Sequence, residues 1–164
     1  MMRRIGKQIL TIALVTLAFG TTGALAQGAG ANIVTTIVTD PFTGVAISGY
    51  DPVSYFTEPE PVLGSPQFEL AWSGVPWYFA NAANRAAFEA APQVYAPQFG
   101  GHGTMSLARG YLSDGNPRLY SVTAKRLYLF YSVGNREAFA LDPRAAIEAA
   151  QKHWAELSAR LLTR

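Results

Sequence analysis

The sequence predicts an α+β fold: a small antiparallel sheet with hairpins, short helices and a long C-terminal helix. Two stretches of two-residue alternation predict the hairpins. One runs through Phe68, Leu70 and Trp72, turns at Ser73-Gly74 and returns through Val75, Trp77 and Phe79. The other carries Leu119, Tyr120 and Val122 on one arm and Leu127 to Tyr131 on the other. The third observation is a stripe at the end of the chain. Ile147, Ala150, Trp154, Leu157 and Leu161 recur at helical spacing behind Asp142 and Pro143, which start a helix.

The elements follow in order from the N-terminus. Arg3, Arg4 and Lys7 precede the apolar run Ile9 to Phe19, and Ala24-Leu25-Ala26 supplies the small residues a signal peptidase accepts before Gln27. Residues 1–26 therefore read as a secretory signal peptide. The run is shorter than the roughly 20 apolar residues a spanning helix needs and gives way to Gly20, Thr21, Thr22 and Gly23. With no cysteine to carry a lipid, the mature form is expected in the periplasm or secreted, with no membrane anchor. Residues 27–43, around "NIVTTIVT", are a flexible leader or an edge strand, and the domain proper spans 44–164.

Val45 to Ile47 read as a strand that Ser48-Gly49 turns into a short helix. Asp51 caps that helix and Pro52 takes its tolerant first position, so that Val53, Tyr55 and Phe56 face inward. "TEPEPVLGSPQ" is a surface excursion rich in turn formers. Pro76 places the second strand of the first hairpin at an edge, because proline has no donor for an inner ladder. Asn81 or Asn84 caps a short helix that buries Phe88 and stops at Pro92, after which Tyr95 and Phe99 continue in irregular chain. "HGTMSLARG" makes a helical turn ended by Gly110.

Composition narrows the function. The 164 residues are 49% apolar, 12% aromatic and only 15% charged, which fits one packed core and argues against disorder. Three of the 13 basic residues lie in the signal segment, leaving ten against 11 acidic groups, so the mature chain is close to neutral. Arg109, Arg118, Lys125 and Arg126 make at most a modest basic face, and no nucleic-acid partner is expected. Zero cysteine removes thiol catalysis, zinc knuckles and disulfides, so stability must come from packing. No G-x-S-x-G turn, HExxH pair, P-loop or strand followed by GxGxxG is present, so a non-enzyme is favoured, with catalysis left open only for Asp51 and His102 lining one cleft.

"ISGYDPVSYF", "WSGVPWYFANAANRAAFEAAPQVYAPQFGGHG", "NPRLYSV" and "RLYLFYS", in that order, resemble the exported, single-domain branch of the YHS domain family. The resemblance covers Val45 to Trp154. It implies a small α+β domain, grouped with metal-binding domains found on some copper-transporting ATPases and on oxygenase components. The chain departs from the family at "FGGHGTMS", where members commonly have a pattern like "YGGYCAYA". Phe99 and His102 stand for the tyrosines, Gly103 for the cysteine and Met105 for a further aromatic, so any thiolate role is lost.

His102 and Met105 offer an imidazole and a thioether, a pair suited to copper, especially Cu(I). Tyr50, Asp51 and Tyr95 would complete a partly polar pocket for a metal ion or small molecule. The bland alternatives are a polar residue at a glycine turn for His102, core filling for Met105 and a helix cap for Asp51. His153 reads as a helix-flank residue. Two function classes follow: an exported small-ligand or metal-binding module, or a non-enzymatic protein-interaction domain with a structural aromatic core. Convergence of His102 and Met105 with a third donor would favour the first, and their burial in an apolar cluster the second.

Overall fold

Two hairpins, each followed by a capped nine-residue helix, carry the architecture. The computed structural model describes residues 36–162, and residues 1–26, read from the sequence as a signal peptide, and the start of the expected leader lie outside them. The helices are α1 (Ser54–Thr57), α2 (Ala82–Ala90), α3 (Pro92–Tyr95), α4 (Thr104–Ala108), α5 (Val133–Leu141) and α6 (Pro143–Leu161). Strands β1 (Ser65–Trp72) and β2 (Val75–Phe79) form one antiparallel sheet, and β3 (Asn116–Thr123) and β4 (Arg126–Phe130) form another. The α+β class and the long terminal helix are as the sequence predicts, with the hairpins in two two-stranded sheets.

The second hairpin repeats the first 51 residues further on, as the pairs Ser65 and Asn116, Val75 and Arg126, and Pro92 and Pro143 show. In the first, pairing passes from Ser65↔Phe79 to Glu69↔Tyr78; in the second, from Asn116↔Phe130 to Tyr120↔Leu129. Both register shifts contain a proline, Pro66 or Pro117, whose missing donor suits a break in the ladder. Each hairpin closes on two left-handed residues, Ser73-Gly74 or Ala124-Lys125, the turn geometry that matches strand twist. The Asn81 side chain then accepts from Asn84 N–H at 2.9 Å, and the Ser132 side chain from Asn135 N–H at 3.2 Å, starting α2 and α5. A side chain at Gly64 or Gly115 would collide with Tyr78 backbone or with the Gly101 carbonyl and Leu129, so both positions require glycine.

The core repeats as well. Phe88 packs on Trp77 and Phe79 with ring centroids 5.2 Å away, and Phe139 packs on Tyr128 and Phe130 at 5.5 and 4.9 Å. Burying each such side chain contributes about 1.5–3 kcal/mol, which gives a cysteine-free chain its cohesion. The stripe of α6 is buried at Ala146, Ala150 and Leu157, with Ile147, Trp154 and Leu161 partly covered.

Three local expectations are corrected. Val45 to Ile47 form no strand. Ala46 makes a single bridge to Thr39 and donates to Pro76 O at 2.9 Å, and Ile47 and Ser48 turn with positive φ into a 3-10 turn over Ile47–Gly49. Tyr95 lies not in irregular chain but at the end of α3, because Pro92 starts a new helical turn as it stops the previous one. The α5 helix was not expected, since its Gly134 and polar residues weaken the apolar period. Of the leader, residues 36–43 are described, and Val38 N–H donates to Gly100 O at 2.8 Å.

Candidate functional site

Asp51 begins the site because it is completely buried. Its Oδ1 accepts from Val53 N–H at 2.8 Å, and its Oδ2 accepts from Ala80 N–H at 2.8 Å and from Asn84 Nδ2 at 2.6 Å. The carboxylate thus ties the turn before α1 to the end of β2 and the start of α2. Its hydrogen-bonding capacity is directed at the protein itself. Ser54 Oγ extends the knot, donating to Asp51 O at 2.7 Å and accepting from Val62 N–H at 3.0 Å.

The other candidates are distributed around this knot. Tyr50 Oη accepts from Arg118 Nε at 2.8 Å, and Tyr95 stands edge-on to Phe56 with centroids 5.5 Å apart. Neighbouring Tyr55 donates to Pro117 O at 2.8 Å, and burial pushes its phenol well above the ordinary tyrosine value. Met105 packs against the apolar cluster of Tyr128, Phe130, Phe139 and Ala146. None of Tyr50, Asp51, Tyr95, His102 and Met105 lines any of four surface cavities of about 240–660 Å³.

His102 leaves the 3-10 turn Gln98–Gly101 and is only 6% exposed, its ring 5.6 Å from that of Trp154. Its Nδ1 has no hydrogen-bond partner among the described residues and lies 3.8 Å from the exposed Asp114 carboxylate. Burial lowers the imidazole below its usual value of 6.5, against the Asp114 charge and the Ser113 and Thr36 carbonyls that favour the proton. Thr104 Oγ1 nearby in sequence is likewise buried without a partner. His153 goes elsewhere: its Nδ1–H donates to Leu107 O at 2.9 Å, and its ring covers Gly110. Among the described residues no three His, Cys, Asp or Glu groups gather as metal ligands.

Sequence reasoning offers Ser106 only as a hydroxyl candidate and does not see its partner Ser113 beside Gly103. A Cβ at Gly103 would lie 2.8 Å from Ser113 Oγ and 3.3 Å from Ser106 Oγ, and these two hydroxyls share a hydrogen bond of 2.6 Å. Gly103 is therefore hemmed in by a serine pair. Close to it in sequence or space lie exposed hydrophobic side chains, two of them aromatic: Tyr111, Tyr131 and Val133 are 48, 65 and 49% exposed. Tyr131 N lies 3.3 Å from that Cβ position, and the Ser106 hydroxyl and Arg109 favour the Tyr111 phenolate and lower its pKa. Arg109 Nη1 in turn donates to Asn135 Oδ1 at 2.9 Å. No sequence pattern marks this face, because its members come from α4, the segment after it and the junction of β4 with α5.

Compared with family models, with curated proteins and with solved structures, the chain matches none. Among the described residues no helix is long and apolar enough to cross a membrane.

Proposed function

We propose that the protein is an exported, non-enzymatic interaction domain in which buried aromatics form structural core and the face around Gly103 receives another protein. The observation that carries this reading is the fate of the side chains suited to a ligand. Three protein donors close Asp51, Arg118 holds Tyr50, and Met105 packs in an aromatic cluster. What faces outward near the same turn is Tyr111, Tyr131 and Val133. Exposed tyrosines suit protein contacts, since they bring a large, rigid area and a polar tip. The signal-like residues 1–26 support export, and the YHS resemblance supports a member that keeps the scaffold without its thiolate.

The test places a photo-crosslinking benzoylphenylalanine at position 131 in the source cells. The captured partner, once purified, is titrated against wild type and a Tyr131→Ala/Val133→Ala variant of native circular dichroism. Affinity should fall about tenfold or more in the variant. Equal affinity, or no specific crosslinked product, overturns the reading.

A second reading, copper at His102 and Met105, rests on the buried imidazole Nδ1, which has no hydrogen-bond partner among the described residues. It requires stoichiometric Cu(I) or Cu(II) binding by the mature protein, weakened in His102→Ala and in Met105→Ala. A folded protein that binds neither ion retires it.

A further inference from the structure

A surface cavity of about 660 Å³ lies between the loop after α1 and the second hairpin, lined by Pro59, Glu60, Pro61, Arg118, Tyr120 and Arg136. That size is typical of sites for small organic ligands. Among the described residues neither arginine has a carboxylate within 4.0 Å, and Glu60 has no cation within that distance. Arg118 is fixed from behind, its Nε donating to Tyr50 Oη at 2.8 Å, which leaves its terminal nitrogens for the cavity.

The first half shows what the same scaffold does without such a site. Arg85 is the counterpart of Arg136, and its Nε donates to Glu69 O at 2.9 Å. Gln67 stands where the second half has Arg118. Only the second half sets two guanidinium groups, one from β3 and one from α5, on a common cavity.

Two guanidinium groups on one cavity repel each other until an anion joins them, and their forked donors match a carboxylate. Glu60 then selects among carboxylates: it repels a dianion and attracts an ammonium at the far end of the ligand. Pro59 and Pro61 hold the Glu60 backbone stiff on that wall. We propose that this cavity binds amino-carboxylate zwitterions, from a free amino acid to a short peptide, with the carboxylate between Arg118 and Arg136 and the ammonium toward Glu60. The site is separate from the Tyr131 face and does not depend on a protein partner.

Calorimetric titration with trialanine, its C-terminal amide, its N-acetyl form, alanine and succinate tests the assignment. Trialanine or alanine should bind saturably, and the better of the two tells peptide from free amino acid. Amidation should weaken trialanine about tenfold, as should Arg136→Gln. N-acetylation should weaken it in wild type and make no difference in Glu60→Gln. Tyr50→Phe should weaken trialanine while leaving the amide unchanged, because Tyr50 acts only through Arg118. The proposal fails if folded protein binds neither trialanine nor alanine, if amidation or Arg136→Gln leaves affinity intact, or if succinate binds more tightly than both.

Discussion

In the first half of the chain the turn ahead of the hairpin is closed by Asp51; in the second, the corresponding place holds Gly103. The backbone around them is the same. Asp51 N–H donates to Val62 O at 2.9 Å and Gly103 N–H to Ser113 O at 2.8 Å, while Ser54 N–H and Ser106 N–H reach back to Asp51 O and Gly103 O. Ala80 N–H, which Asp51 accepts, has Tyr131 N as its counterpart. The scaffold therefore does not need the carboxylate to form. Without it, closure passes to the Ser106–Ser113 pair and to α6, whose Trp154 stands edge-on to Phe99 and tilted against His102. The His102 Nδ1 without a hydrogen-bond partner among the described residues, the exposed Tyr111 and Tyr131, and the two arginines of the cavity all fall in the half relieved of the buried charge.

The largest test of this comparison is the aromatic pivot. Phe88→Ala should cost about 4–5 kcal/mol and Phe139→Ala about 3–4, read by urea unfolding. Phe88 meets three rings, Trp72, Trp77 and Phe79, whereas Phe139 meets Tyr128 and Phe130. The reverse order would break the parallel. Next, Asp51→Ala should cost about 3 kcal/mol, because it strands buried donors that faced a carboxylate, and Ser106→Ala only about 1 kcal/mol. Equal losses would mean that the two closures do the same work.

His102 gives the comparison a pH dependence. Its folded pKa lies below the unfolded value, so the unfolded chain binds the extra proton, and stability rises with pH through this window. The contribution is complete above about pH 6.5 and is lost as pH falls toward the folded pKa. His102→Gln should flatten the acid limb of the stability profile. In NMR titration Asp114→Asn should move the His102 midpoint further down, and an upward move would contradict the assigned role of the Asp114 charge. The smallest effect lies in the turns. Lys125→Gly should stabilise by about 1 kcal/mol because Lys125 holds φ 59°, and Gly74→Lys should destabilise by a similar amount, both measured by thermal melting.

The sequence exposed the fold through pattern. Alternation at Phe68 to Phe79 and Leu119 to Tyr131 predicts both hairpins, and Asp142-Pro143 predicts the start of α6, where the Asp142 side chain accepts from Ala145 N–H at 3.0 Å. The recurrence itself was also legible, in Asn84-Arg85, Ala87, Phe88 and Pro92 against Asn135-Arg136, Ala138, Phe139 and Pro143, but only to a comparison of the chain with itself. Candidate-site residues were harder. Asp51 before Pro52 reads as a helix cap, but α1 starts only at Ser54 with Val53 at its N-cap, and the Asp51 carboxylate instead closes the preceding turn and bonds to Ala80 and Asn84 through tertiary contacts that no local spacing encodes. The pairing of Arg118 with Arg136 is hidden for the same reason, since strand and helix meet there only after the second hairpin closes.

The two tight turns also bear on how the chain acquires its shape. Each hairpin joins its strands through two residues, and the capped helix that covers it follows at once, so Trp77 meets Phe88 and Tyr128 meets Phe139 across only 11 residues of chain. Contacts so close in sequence cost little loop entropy and favour fast nucleation. Two such nuclei stand in series, each able to start before the other is complete. The longer-range bond from Tyr55 to Pro117, and a core in which Leu127 and Leu129 pack with Trp77, Phe79 and Phe88, link the two halves across a much greater separation in sequence.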